Sequence, residues 1–495
     1  MSSSLLFGYP QLAVIPNAGI LGLAAYSFAT IAPLWVFAFL GPQIRKLAPE
    51  GFTLSQYIRV RFGWPLGVLA AVVFVGFMLC FMIVELNTYG SVVSLLGGVN
   101  PTIAALTVAI TTTIYTAYGG FKASLWTDNV NAIIISIFII LAAIATGVKI
   151  KIDPSRIESS GLLKPQRLGG ELWYILTVAI VFSQMFNQGF WQRAFASKND
   201  RTLYWSVGLA TVPLFAICFL VGMTGPLAWW SGLFDGPTAE DDGSQTFFYV
   251  LATLPKLVQG VILVLAGALS SSAYDTLQSA QISTIENDVL LGRANIWICR
   301  AILICLNIPA VVLAVKNVNI LQVFLVADVL AVAILPPVFL GLIPQLWFLD
   351  GFDAFIGAAG GFFSIFLAGL MIYGNADEAG ALITLPQGLY IDDNSVLAVF
   401  FAAPIGSIVF TFVAFLARAG AMWAFCRFTG HEYTVFHKRH FDTSAFALPE
   451  DRPAGFHSIH GTGSPDDRRK LSDEDSKGAA EVETATETEI ESKRH

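Results

Sequence analysis

Residues 267–279 read GALSSSAYDTLQS and close one of the longest apolar runs in the chain. A carboxylate inside a bilayer costs about 2.5–3.5 kcal/mol on insertion scales, so it faces a cavity or a partner rather than lipid. On a helix, Asp275 follows Ser272 by three positions and Ser271 by four, so the three share a face. Ala268 lies one turn earlier on the same stripe. The spacing predicts an oxygen-lined patch inside a membrane helix, chemistry suited to holding a cation or a proton.

Further polar residues interrupt apolar runs. The stretch 181–200, VFSQMFNQGFWQRAFASKND, puts Gln184, Asn187 and Gln188 in the inner part of a membrane helix, with Trp191 on their face. Buried amides must find partners, which are either neighbouring helices or a small polar solute. The stretch 115–132, YTAYGGFKASLWTDNVNA, carries a Gly119–Gly120 turn between two helices, Trp126 at an interfacial position, and Asp128. Asp128 reads as opening the next helix, either as a cap or as an acid at the cytoplasmic mouth of an ion path. Asp328 interrupts VFLVADVLAVAILPPVF, where Pro336 and Pro337 are expected to break the helix and free carbonyls. Glu85 ends MLCFMIVEL near a helix end, within reach of the interface. No P-loop, GxSxG or HExxH occurs, so no enzyme activity is expected.

The elements that must hold these residues follow from composition. The 495 residues are 55% hydrophobic and 13% charged, against about 25% charged in a soluble domain. Mean hydropathy is +0.67. Eleven apolar blocks are long enough to approach a span of about 20 residues. They lie near 19–41, 65–87, 101–118, 129–148, 172–190, 204–228, 257–279, 296–315, 319–346, 353–373 and 396–418. Basic residues cluster in the loops holding Arg45, Lys46, Arg59, Arg61, Lys122, Arg193, Lys198, Arg201 and Arg293, which the positive-inside rule makes cytoplasmic. The loops 229–246 and 374–395 hold no Lys or Arg and face out. Loop 149–170 is an exception, basic yet on the outer side. The sum places the N-terminus outside and the C-terminus in the cytoplasm.

A transmembrane domain over 1–425 is expected to precede a disordered cytoplasmic tail over 426–495. Residues 431–495 hold 14 acidic and 9 basic residues, and so carry −5 of the net charge of −7. The membrane body is therefore near neutral, and nucleic acid is not expected as a partner. Five cysteines, Cys80, Cys218, Cys299, Cys305 and Cys426, show no zinc spacing, and the first four, inside apolar runs, read as small buried hydrophobes.

Six stretches together resemble the sodium:solute symporter family, and within it the fungal and plant urea active transporter branch. They are FLGPQIRKLAPEGFTLSQYIRVRFG, MIVELNTYG, YTAYGGFKASLWTDN, FNQGFWQRAFASK, GALSSSAYDTLQS and FLVADVLAVAILPPVFLGL. The resemblance implies an all-α polytopic membrane protein with a leucine-transporter-type 5+5 inverted-repeat fold. It implies a sodium site at the Ala268 carbonyl and the Ser271 and Ser272 hydroxyls, ion release through Asp128, and solute contact at Asn187.

Two departures from the family pattern stand out. Asp275 replaces a small residue and favours proton coupling. The opening MSSSLLFGYPQLAVIPNAG falls near the break of the family's first core helix, so the leading helix and the first half of core helix 1 are expected to be lacking.

The resulting expectation is a multi-pass plasma-membrane symporter importing urea or a related nitrogen compound with Na+ or H+, and needing no other cofactor. Ala268, Ser271, Ser272 and Asp275 would hold the ion. Asn187, Gln188, Trp191 and Asp328 would serve the solute, and Asp128 the gate. Its partners are the solute and the lipid bilayer. A non-transporting nutrient sensor built on a transporter body is the alternative.

Overall fold

The structure is a computed structural model describing residues 2–47, 53–238, 241–290, 293–316, 320–386, 388–390, 393–431, 433 and 435–436. Among these residues the secondary structure is entirely helical. In chain order the helices are α1 (Leu5–Val14), α2 (Gly19–Leu47), α3 (Leu54–Phe62), α4 (Trp64–Gly97), α5 (Pro101–Lys149), α6 (Pro154–Ser160), α7 (Arg167–Met185), α8 (Gln188–Ala196) and α9 (Asp200–Gly222). There follow α10 (Thr224–Trp230), α11 (Thr246–Ala252), α12 (Lys256–Thr284), α13 (Ile296–Val315), α14 (Ile320–Leu340), α15 (Gly351–Tyr373), α16 (Ala376–Ala381) and α17 (Ser395–Thr429). Among the described residues, nine helices are long and apolar enough to cross a membrane. One of them, α5, contains two of the eleven apolar blocks, and α14 accounts for the block outside the nine.

Local chemistry sets the joints. Gly120 has φ +54° and ψ −144°, a conformation that L side chains avoid, and it kinks α5 into two segments. Asn187 leaves helical geometry, with ψ 95°, so the amide stretch divides into α7 and α8 rather than continuing as one helix. Pro336 and Pro337, expected to end a helix, instead lie inside α14. Pro337 has no N–H to give the carbonyl of Ala333, and the buried Ser407 hydroxyl of α17 donates to that carbonyl at 2.7 Å. A neighbouring hydroxyl thus completes the helix, as prolines in membrane helices allow.

Packing uses both apolar side chains and close backbone approach. One core cluster joins Phe74, Phe77, Met82, Phe186, Trp191 and Tyr274 from α4, the α7–α8 joint, α8 and α12. α15 and α17 meet through small residues: a Cβ on Gly360 would lie 2.2 Å from Phe410, and one on Gly406 1.9 Å from the Ser364 hydroxyl.

The loop chemistry differs in detail from the charge reading. Arg61 is buried in α3, and its guanidinium donates to the carbonyls of Gly341, Leu346 and Leu349 just beyond α14. It therefore satisfies a helix end rather than marking a free surface. The basic loop 149–170 lies against the loop after α10: Arg156 pairs with Asp235 at 2.9 Å, and the Asp153 amide donates to the Trp230 carbonyl. The two loops share one side of the molecule, as expected from block order. The last helix runs to Thr429, and residues 437–495 lie outside the described residues, so most of the expected tail does as well.

Candidate ion and solute site

α12 packs along both segments of kinked α5, and the serine patch faces that seam. Asp275 has no exposed surface. Its Oδ2 accepts from the Tyr115 hydroxyl at 2.7 Å and from Thr127 Oγ1 at 2.8 Å, and its Oδ1 from Ser124 Oγ at 2.9 Å. Tyr115 precedes the Gly120 kink and the other two follow it, so the kink brings all three hydroxyls to one carboxylate. Ser272 Oγ donates to Asp128 Oδ1 at 2.6 Å. Ser271 Oγ turns back to the Ala268 carbonyl at 3.3 Å, so that carbonyl and hydroxyl lie together on the helix surface.

Asp128 lies well inside the second segment of α5, so the cap reading does not hold. The kink at Gly120 starts that segment about two turns earlier, and Asp128 turns toward α12 and α8. Its Oδ2 accepts from Arg193 Nη2, whose nitrogen also donates to Thr276 Oγ1 at 2.8 Å. Arg193 Nη1 donates to the Gly189 carbonyl at 3.0 Å. One guanidinium thereby joins α5, α8 and α12. Arg193 was legible as a loop cation, but its partner lies 65 positions away and no local spacing points to it.

The amide stretch separates into distinct tasks. Asn187 caps α8, its Oδ1 accepting from the Gly189 amide at 3.1 Å. Gln188 is fully buried, with Oε1 accepting from the Leu54 amide at 2.9 Å and Nε2 donating to the Phe186 carbonyl. Trp191 is also fully buried and donates its indole N–H to the Met185 carbonyl at 2.8 Å across the break. Phe37 meets its ring edge-on at 4.8 Å. The polar atoms of Gln188 and Trp191 are thus engaged in holding the break open, while Asn187 stands at it.

Two mid-helix acids complete the picture. Glu85 is 1% exposed and lies well inside α4, so it does not reach an interface. Its Oε2 accepts from the Ser3 amide at 3.1 Å and the Ser3 hydroxyl at 3.0 Å, compensating the start of α1. The Ser270 hydroxyl of α12 contacts the Glu85 carbonyl at 3.4 Å. An acid within an apolar run was the signal; continuation of the helix to Gly97 is what buries it. Asp328 is half-buried in α14. It is not part of the α5–α12 group.

A second cluster was missed by sequence reasoning. Asp288, in a π-helical turn over Ile285–Val289 after α12, accepts from Thr53 Oγ1 at 2.9 Å and from Ser55 Oγ. Thr53 also caps α3. The start of α3 is therefore tied to α12 through Asp288 and to α8 through Gln188.

The sequence profile of the Sodium:solute symporter family matches residues 1–361. The chain is 39% identical over 441 residues to "Spermidine transporter DUR31" of Candida albicans, covering 88% of this chain and 84% of the relative. It is 25% identical over 228 residues to "Probable urea active transporter 1" of Schizosaccharomyces pombe, covering 42% of this chain and 34% of that one. Among solved structures, a Na+-coupled sialic acid symporter in a substrate-bound outward-open state superposes with TM-score 0.58 at 18% identity, covering 83% of this chain and 87% of the other. MhsT in complex with L-phenylalanine gives 0.52 at 14% identity, covering 84% and 95%. Both show a leucine-transporter-type fold.

Proposed function

The chain belongs to the Sodium:solute symporter family, and from that premise we propose that it imports a small nitrogen-containing solute by coupling its movement to Na+. One observation carries the reading: the Ala268 carbonyl and the Ser271 and Ser272 hydroxyls stand on the α12 face that meets kinked α5, with Asp128 on the facing helix. Hard oxygen ligands of this kind suit a small cation. Asp275, enclosed by three hydroxyls, adjusts the charge of that seam and is the group through which H+ coupling would act.

Asp128 is the gate. Its Oδ1 accepts the Ser272 proton and so sets where that hydroxyl's lone pairs face, and Arg193 holds Asp128 in place. Asn187 contacts solute at the α7–α8 break, while Gln188 and Trp191 position the break. The solute is urea or a polyamine, the two compounds named for the relatives. The plasma membrane is the proposed location, with the C-terminus in the cytoplasm.

The test is uptake of labelled urea and labelled spermidine into cells lacking their own transporters, with Na+ replaced by choline in a parallel arm. Uptake of either that falls when Na+ is withdrawn supports the reading. No uptake of either above background, from protein shown to be at the cell surface, sinks it and leaves the sensor alternative.

A further inference from the structure

A cavity of about 50 Å³ lies at the kink of α5, between that helix, the last turns of α12 and the first two turns of α13. Thr116, Phe121, Ser279, Ser283 and Arg300 are among the residues lining it, and none of the lining residues is acidic. One water needs about 10–15 Å³ of such space, so the cavity admits a larger group. Arg300 is half-buried. Its Nε donates to the Ala117 carbonyl at 3.0 Å, within a turn of Gly120, and its guanidinium carbon lies 4.8 Å from the centre of the Trp297 ring. Among the described residues its two Nη nitrogens have no hydrogen-bond acceptor, and no carboxylate pairs with it. A guanidinium within a membrane helix ordinarily finds a carboxylate or carbonyls for its whole fork.

Thr116 gives a second and independent observation. It is 3% exposed, and its hydroxyl has no hydrogen-bond partner. Its neighbours behave otherwise: Thr112 and Thr113 donate to carbonyls one turn back on α5, at 2.7 and 2.6 Å. Ser279 and Ser283, across the cavity, give their protons to carbonyls of α12. The donors left over are the Arg300 fork and the Thr116 hydroxyl. Unused donors around a cavity without acids are completed by an anion.

The surroundings select the anion. Tyr118, another lining residue, is 87% exposed, and Trp297 is exposed beside Arg300, as in an interfacial aromatic belt. Ile114 of α5 and Ile304 of α13 are exposed one turn further into their helices, an apolar surface leading away from the cavity. Lys122 and Arg293 are exposed one and three positions from the lining residues Phe121 and Ile296. The loop holding Arg293 is cytoplasmic on the charge reading. A cationic cavity with an aromatic rim and apolar flanks fits a phosphate that carries acyl chains better than one free in water.

We propose that Arg300 and Thr116 hold the phosphate of an anionic phospholipid of the cytoplasmic leaflet, with its chains along Ile114 and Ile304. The bound headgroup braces the α5 kink against α13. It thereby supports the segment that presents Ser124, Thr127 and Asp128 to α12, whichever solute is moved.

The experiment follows the thermal midpoint of the full chain, purified in detergent, as dioleoylphosphatidylserine, dioleoylphosphatidylcholine or inorganic phosphate is added. Phosphatidylserine should raise the midpoint saturably, and the other two should leave it unchanged. Arg300→Gln should weaken the apparent affinity about 10-fold or more, and Arg300→Lys less, because an ammonium keeps the charge without the fork. Thr116→Val keeps the shape and removes the unpaired hydroxyl. Its midpoint without lipid should not fall, while its affinity for phosphatidylserine drops several-fold. That variant decides the matter if Arg300→Gln does not fold. Equal phosphatidylserine affinity in wild type, Arg300→Gln and Thr116→Val overturns the site, since the lipid then acts only as general solvent. An equal rise with phosphatidylcholine overturns the need for net negative charge, and an equal rise with inorganic phosphate replaces the lipid by a free anion. No rise with any of the three overturns the proposal outright.

Discussion

At the scale of single residues, the seam is governed by which oxygen faces which. Ser272 donates to Asp128, and the proposed function also makes it an ion ligand. Ser272→Ala removes a ligand worth about 1.4 kcal/mol, so the Na+ concentration for half-maximal uptake should rise about 10-fold. A Na+ titration of uptake checks this, and an unchanged value removes Ser272 from the site. Arg193→Gln leaves Asp128 without its cation. The pair is partly exposed, with about a quarter of each side chain accessible, so we expect a cost of about 1–3 kcal/mol, below that of breaking a fully buried pair. Thermal unfolding in detergent should show the loss, and Asp128→Asn in the same protein should recover part of it. The residue types in this group were readable, because oxygen in an apolar run is anomalous wherever it occurs. Their partners were not: Asp275 and Tyr115 are 160 positions apart, and nothing local couples them.

At the scale of elements, the working parts are interrupted helices. The Gly120 kink allows one helix to offer Tyr115 from one segment and Ser124 and Thr127 from the next. Gly120→Ala must hold a side chain at positive φ, at a cost of about 1–3 kcal/mol. It should lower both the thermal midpoint and the uptake rate, and a wild-type midpoint with wild-type uptake would show that the kink is not needed. The glycine pair was visible as a turn, yet its consequence for Asp128 was misjudged because the helix resumes at once rather than after a loop. α3 gives a second element-level test. Asp288→Ala strips the Thr53 and Ser55 hydroxyls of their acceptor. Hydrogen exchange over Leu54–Phe62 should then accelerate, more than over α15, which Asp288 does not touch.

At the scale of the whole molecule, segments distant in sequence meet in the loop before α11, where Gln11 of α1 donates to Asp242 at 2.7 Å. Tyr249 donates to Asp241 at 2.6 Å, and this bond, with burial, pushes its hydroxyl up to about 12. A folded-state value above the usual ~10 means the bond's contribution is complete below pH ~10 and is lost as pH rises through about 12. Exchange of the amides of Thr246–Ala252 should therefore rise across that window in wild type, and Tyr249→Phe should remove the step. Persistence of the step in the variant would assign it to another group. α17 is fastened in a comparable way, Arg418 donating to Asp353 at 2.7 Å and to the Phe348 carbonyl at 2.9 Å.

The sequence by itself determined the solvent, the helical class, the positions of the apolar blocks and the family. A bilayer tests mainly length and polarity, and both are local properties of a chain. It also marked Ser271, Ser272, Asp275, Asp128 and Asp328 as costly, since polar atoms in hydrocarbon need a reason. Only the tertiary structure decided what each reason is. It took Asp128 from a cap to an ion pair, Glu85 from an interface to the start of α1, and Gln188 from a solute ligand to the support of α3. Each of these depends on which helix lies opposite, and that is set by packing between segments far apart in the chain.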